Sequence, residues 1–237
     1  MKKMILFILI GLFLLSCGKD IPNVSIVKPI ADFNITQIGN YAPSAVNFND
    51  NSSNATNYFW NFGDGETSTE IYPKHIFKNG GSYNVTLRVT NTTGESTITR
   101  TVVISSAPTK LKITNLVLIA YPLTTPSGGG WDSGSGPDIY PEITYSTGKA
   151  IYSSIRKEDV VISQLPLTYP VNFIFTDLTY RNQIDFYDYD PIGSNEWMGG
   201  YYFTVSNCIP TDGSKYPTSL NFTGGSVEFT ANMEWIP

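Results

Sequence analysis

Cysteine and histidine are almost missing from this sequence of 237 residues. There are two cysteines, Cys17 and Cys208, and one histidine, His75. A disulfide framework needs more cysteines, so none is expected. Positive charge is also scarce, with 15 Lys and Arg against 20 Asp and Glu. That balance sets nucleic acid aside as a partner, because binding a phosphate backbone takes clustered Lys and Arg. The signatures G-x-S-x-G and H-E-x-x-H are absent, and no stretch after residue 20 keeps an apolar helical period. Long hydrophobic runs are absent too, save one at the start.

That run, Met4 to Leu15, follows Lys2 and Lys3 and has the form of an export signal. It is too short to span a bilayer, which takes roughly 20 apolar residues. It ends in Leu14-Leu15-Ser16-Cys17, which resembles the lipobox of bacterial lipoprotein signals. The resemblance implies that residues 1–16 are a cleaved signal peptide and that Cys17 is the lipidated N-terminus, anchored to a membrane by more than one chain. An ordinary cleaved signal with an incidental cysteine is the alternative. Gly18 stands where an aspartate often retains such lipoproteins in the inner membrane, so the resemblance points to a lipid-anchored protein of the cell envelope, at the outer membrane. Loss of Lys2 and Lys3 leaves a mature chain of net charge −7. With Cys17 acylated, Cys208 has no partner, and the fold must rest on its apolar cores.

Alternating runs of Val, Ile, Thr, Tyr and Phe between Gly, Asn, Asp and Pro clusters predict an all-β chain. In Ser82 to Thr90, Tyr83, Val85, Leu87 and Val89 fall on one face and polar residues on the other. Ser105-Ser106-Ala107-Pro108-Thr109 reads as a linker. Residues 17–29 read as a tether, 30–106 as a first domain and 110–237 as a second. The first contains Tyr58-Phe59-Trp60-Asn61-Phe62-Gly63-Asp64-Gly65, Pro73-Lys74-His75-Ile76-Phe77 and Gly81-Ser82-Tyr83-Asn84-Val85. This ordered string resembles a polycystic kidney disease (PKD) domain, which implies an immunoglobulin-like β-sandwich acting as a spacer or in contacts with proteins and glycans. Independently of that name, Tyr58, Trp60 and Phe62 alternate on one face and can fill a core. Gly63-Asp64-Gly65 turns the chain, and a hydrogen-bonded structural His75 is expected over a catalytic one.

The second domain carries two acidic loops. One contains Gly130-Trp131-Asp132 and ends at Asp138; the other runs from Asp188 and Asp190 through Pro191-Ile192-Gly193 to Glu196. Acids crowded without a cation repel one another, whereas calcium takes six to eight oxygen ligands from such loops. The spacing of Asp132 with Asp138, and of Asp188 with Asp190 and Glu196, resembles a calcium- and lipid-binding (C2) domain. The resemblance implies a second β-sandwich, calcium held by these five acids, and loop tips that meet a phospholipid surface, with Trp131 and Ile192 as possible membrane or ligand contacts. A solvated acidic rim is the alternative. Trp131 packed on its own loop and Ile192 as an isolated surface residue are the alternatives for the tips. Trp197, Tyr201 and Tyr202 are expected in the core.

The expected function is therefore non-enzymatic: a surface-anchored binding or adhesion lipoprotein with a calcium-dependent module on a PKD spacer and a phospholipid, glycan or protein as ligand. A carbohydrate-binding component of a glycan-uptake system is a second reading. A glycan hydrolase or its accessory, working through paired carboxylates, is a third.

Overall fold

A computed structural model describes residues 27–145 and 150–237. The signal segment, Cys17 and nearly all of the tether lie outside the described residues. The fold is nearly all β, and its strands pair in antiparallel ladders.

Seven strands make the first sandwich: β1 (Phe33–Gln37), β2 (Ser44–Asp50), β3 (Asn57–Asn61), β4 (Thr67–Ser68), β5 (Lys74–Phe77), β6 (Gly81–Asn91) and β7 (Gly94–Ile104). One sheet has the order β1-β2-β5 and the other β4-β3-β6-β7. The expected alternation of Ser82–Thr90 is realised in β6, where Val85, Leu87 and Val89 are buried. Trp60 and Phe62 are buried with them. Trp60 packs edge-on against Phe33 at 5.0 Å between centroids, and its Nε1 donates to Glu70 O at 2.8 Å, so the large ring enters the core with its one polar atom satisfied. Gly63 has φ +81, and a Cβ there would press on the Asn84 backbone, which is why the turn after Phe62 takes glycine.

The second sandwich has eight strands: β8 (Lys110–Ala120), β9 (Ile139–Tyr145), β10 (Ala150–Ser153), β11 (Leu167–Phe175), β12 (Arg181–Asp188), β13 (Glu196–Thr204), β14 (Ser219–Phe222) and β15 (Glu228–Ile236). Its sheets are β10-β9-β12-β13 and β11-β8-β15-β14. In β8 the buried residues are Leu111, Ile113, Leu116 and Leu118, which breaks a strict period of two. The break is a bulge. Asn115 and Ile113 pair with consecutive residues Asn232 and Met233 of β15, so Thr114 is the extra residue and the inward face changes parity at that point. Thr114 Oγ1 donates to Asn232 O, which ties the bulge down.

The two sandwiches touch beyond the linker. Ala45 N donates to Gly213 O at 2.8 Å, Tyr216 Oη donates to Ala42 O at 2.7 Å, and the rings of Tyr41 and Tyr216 meet edge-on at 5.5 Å. Gly213, at φ +75, lies so close to Ala45 that a Cβ would collide with its amide.

Candidate functional site

The β8–β9 and β12–β13 loops leave the same end of the second sandwich because β9 and β12 are neighbours and Ile139 pairs with Asp188. The loops are stitched together there. Asp138 N donates to Asp188 Oδ1 at 2.6 Å, and Tyr189 N donates to Asp138 O at 3.0 Å. Asp188 continues the inward row of Ile184 and Phe186 and is fully buried. Its Oδ2 is also buried and has no hydrogen-bond partner among the described residues. Burial raises the Asp188 carboxyl, the Asp138 amide pulls it back, and the charges of Asp132, Asp190 and Asp138 push it up again, to about 6. Asp132 is raised as well, by burial and by Asp138, Asp190 and Asp159.

The structure thus brings Asp132, Asp138, Asp188 and Asp190 within mutual electrostatic reach. Glu196 faces Asp188 across the β12–β13 ladder and leaves the strand on the same side. Asp159, from the segment between β10 and β11, joins the group without having been singled out from the sequence. Nothing in the run Lys157-Glu158-Asp159 distinguishes it from an ordinary charged loop. Asp138 is already engaged by the protein: Oδ1 accepts from Asp159 N at 3.0 Å, and Oδ2 lies 3.5 Å from Arg156 Nε. Among the described residues, no three His, Cys, Asp or Glu side chains close on a point that could hold a metal ion.

The aromatic residues require two corrections. Trp131 is 7% exposed and donates Nε1–H to Pro122 O at 2.6 Å, so its indole packs on its own loop and only an edge of it lines the neighbouring clefts. Ile192 is 92% exposed at the apex of the β12–β13 loop. Trp197 and Tyr202, expected in the core, are about half exposed on the outer face of the β10-β9-β12-β13 sheet. Two causes are visible. Alternation forces one of the adjacent Tyr201 and Tyr202 outward, and a bulge at Met198 sets Trp197 opposite Tyr187 on the outer face. On that face Trp197 Nε1 donates to Asp185 Oδ1 at 2.8 Å, and Gln183 Nε2 donates to the same oxygen at 2.7 Å. Asp185 is buried, which raises its carboxyl despite these two bonds.

In the first sandwich, His75 Nε2 lies 2.6 Å from Asp64 Oδ2, and the imidazole stacks on Phe62 at 4.1 Å with an interplanar angle of 2°. Burial alone would raise Asp64. The bonds from His75 and from the Glu66 amide outweigh it and hold the carboxyl below the usual carboxylate range. The pair is structural: it closes the turn at Gly63 onto β5.

Residues 26–105 match the family model described as PKD domain. The chain is 39% identical over 70 residues to the pre-pro-metalloprotease PrtV of Vibrio cholerae, a match covering 30% of this chain and 8% of that protein. It is 42% identical over 64 residues to a microbial collagenase of Vibrio alginolyticus, covering 27% of this chain and 8% of the collagenase. The crystal structure of the PKD1 domain from the Vibrio cholerae metalloprotease aligns with 33% of this chain and 99% of its own, at 33% identity and a TM-score of 0.30. The matched part is thus a small fraction of the curated relatives' length. Residues 26–105 of this chain are a PKD domain.

Proposed function

We propose that this protein is a non-catalytic, lipid-anchored binding protein of the cell envelope, in which the PKD domain is a spacer and the second, C2-like sandwich makes calcium-dependent contact through its acidic end. The observation that carries the reading is Asp188 Oδ2, a buried carboxylate oxygen without a partner, beside the charges of Asp132, Asp138 and Asp190. Leaving such an atom unpaired is expensive, and a divalent cation would pair it.

The donor set suits a hard cation in part. Asp188, Asp190 and Asp132 would hold it, with Glu196 on the same face, while Asp138 is held by Arg156 and the Asp159 amide. Calcium takes carbonyl and water oxygens along with carboxylates, so its shell does not rest on three acids meeting beforehand. When bound, the ion would supply positive charge for an anionic partner such as a phospholipid head group, next to the exposed Ile192. A non-catalytic role is supported by the single histidine, which is buried, stacked and bonded in the PKD domain.

Thermal unfolding of the purified chain in millimolar calcium and in EDTA tests the proposal. A ligand at about 100 times its Kd adds about 2.7 kcal/mol, which should raise the unfolding temperature of the second domain by about 5–10 °C. Identical melting in calcium and in chelator would refute calcium binding.

A further inference from the structure

The outer face of the β10-β9-β12-β13 sheet carries a built arrangement that the acidic end does not use. Tyr140, Tyr187 and Trp197 lie opposite one another in register on β9, β12 and β13, forming one aromatic row across three strands. The rings of Tyr140 and Tyr187 stack at 5.7 Å and 23°. Next to this row runs a second, made of Glu142, Asp185 and Gly200. A Cβ on Gly200 would collide with Asp185 Oδ1, so the glycine is what lets the carboxylate lie down on the sheet. Asp185 Oδ1 takes both Trp197 Nε1 and Gln183 Nε2, leaving Oδ2 outside these bonds.

The effect is to fix an exposed indole in one orientation beside two carboxylates. Trp197 is 49% exposed although its only polar atom is already paired, so the apolar ring is what faces solvent. Flanking the two rows, a cavity of about 420 Å³ is bounded by Tyr140, Glu142, Ser153, Arg156, Tyr189 and Asn195. Aromatic rings thus share the cavity wall with carboxylate, hydroxyl, amide and guanidinium groups.

We infer that this face binds a glycan, with Trp197, fixed by Asp185, stacking on the C–H face of a sugar ring and Glu142 accepting hydrogen bonds from its hydroxyls. A sugar is apolar on its ring faces and carries hydroxyls at its rim, each both donor and acceptor, which this combination of flat rings, carboxylates and hydroxyls matches. A simple amine would meet the Arg156 guanidinium at the rim of the same cavity and be repelled by it. The inference does not rest on calcium, because Trp197 and Glu142 are not among the acids proposed to hold the ion.

The test is calorimetric titration of the purified chain, in EDTA throughout, with hexasaccharides of cellulose, xylan, mannan, laminarin and chitin. At least one should bind in the micromolar to millimolar range. Trp197→Ala and Glu142→Gln should each weaken it about tenfold or more, while Tyr72→Ala, which removes an exposed ring from the PKD domain, should leave it unchanged. Circular dichroism melts establish that the variants are folded; Glu142→Gln carries the test if Trp197→Ala is not. Absence of binding to every hexasaccharide at millimolar concentration, wild-type affinity in the folded variants, or binding of Nα-acetyl-lysine amide in place of any sugar would overturn the inference. Because chelator is present throughout, failure of the calcium reading leaves these outcomes unaffected.

Discussion

Replacing Asp188 by asparagine should stabilise the protein at pH 7 in chelator, although it removes a native charge from a fully buried position. The Asp188 carboxyl is pushed from an ordinary 3.8 to about 6. The folded state therefore binds its proton more tightly than the unfolded state does. Stability from this group is fully present below about pH 4, declines as pH climbs from about 4 to about 6, and is flat above that. A shift of about two pKa units corresponds to about 3 kcal/mol, the penalty that the ionised carboxylate carries at neutral pH. Asparagine keeps an oxygen for the Asp138 amide and gains an N–H that can donate toward Asp132 or Asp190. The variant should thus melt about 6–12 °C above wild type at pH 7 in EDTA and close to wild type at pH 4. Urea unfolding followed at both pH values gives the same difference free of aggregation. A variant that is less stable than wild type at pH 7 in EDTA would show that the repulsion between these carboxylates had been misread. In calcium the order should reverse, since the variant lacks the oxygen that would pair with the ion.

Two further outcomes follow from the PKD domain and its junction. Asp64→Asn should destabilise the PKD domain by about 1–3 kcal/mol at pH 7, because it weakens a charge-assisted bond to His75. As the wild-type carboxyl is held low, that difference should be full above about pH 4 and vanish as pH falls through the folded value, which pH-resolved denaturation would show. Tyr216→Phe removes the hydroxyl that donates to Ala42 O and should cost about 1 kcal/mol of coupling between the sandwiches, visible as separation of their two melting transitions.

The PKD domain was legible in the sequence because its signals are local. The alternation of Tyr83 through Val89 and the run Trp60-Asn61-Phe62-Gly63-Asp64 each determine strand faces and a turn without help from distant residues. That the two acidic loops meet was implied only by their resemblance to a C2 domain, and their detailed pairing was not legible. Whether Asp138 is free depends on Arg156 and Asp159, which arrive from another connection. The aromatic side chains show the same limit. Trp131 and Trp197 both sit beside glycines and acids, yet one packs inward and the other outward. The difference lies in a single extra residue, Met198, in the β12–β13 ladder, and such a register change is set by the whole sheet. The Thr114 bulge escapes a reading of the local pattern for the same reason.

The bond from Ala45 to Gly213 and the Tyr41–Tyr216 ring contact lie away from the polypeptide linker, so the two sandwiches meet at more than one point. A joint fastened in several places resists swivelling. Whatever grips the PKD domain thereby aims the tryptophan-bearing face of its neighbour, and a molecule tugging on that face loads the junction in shear across several bonds at once, much as a bracket with two screws holds a shelf that one would let turn.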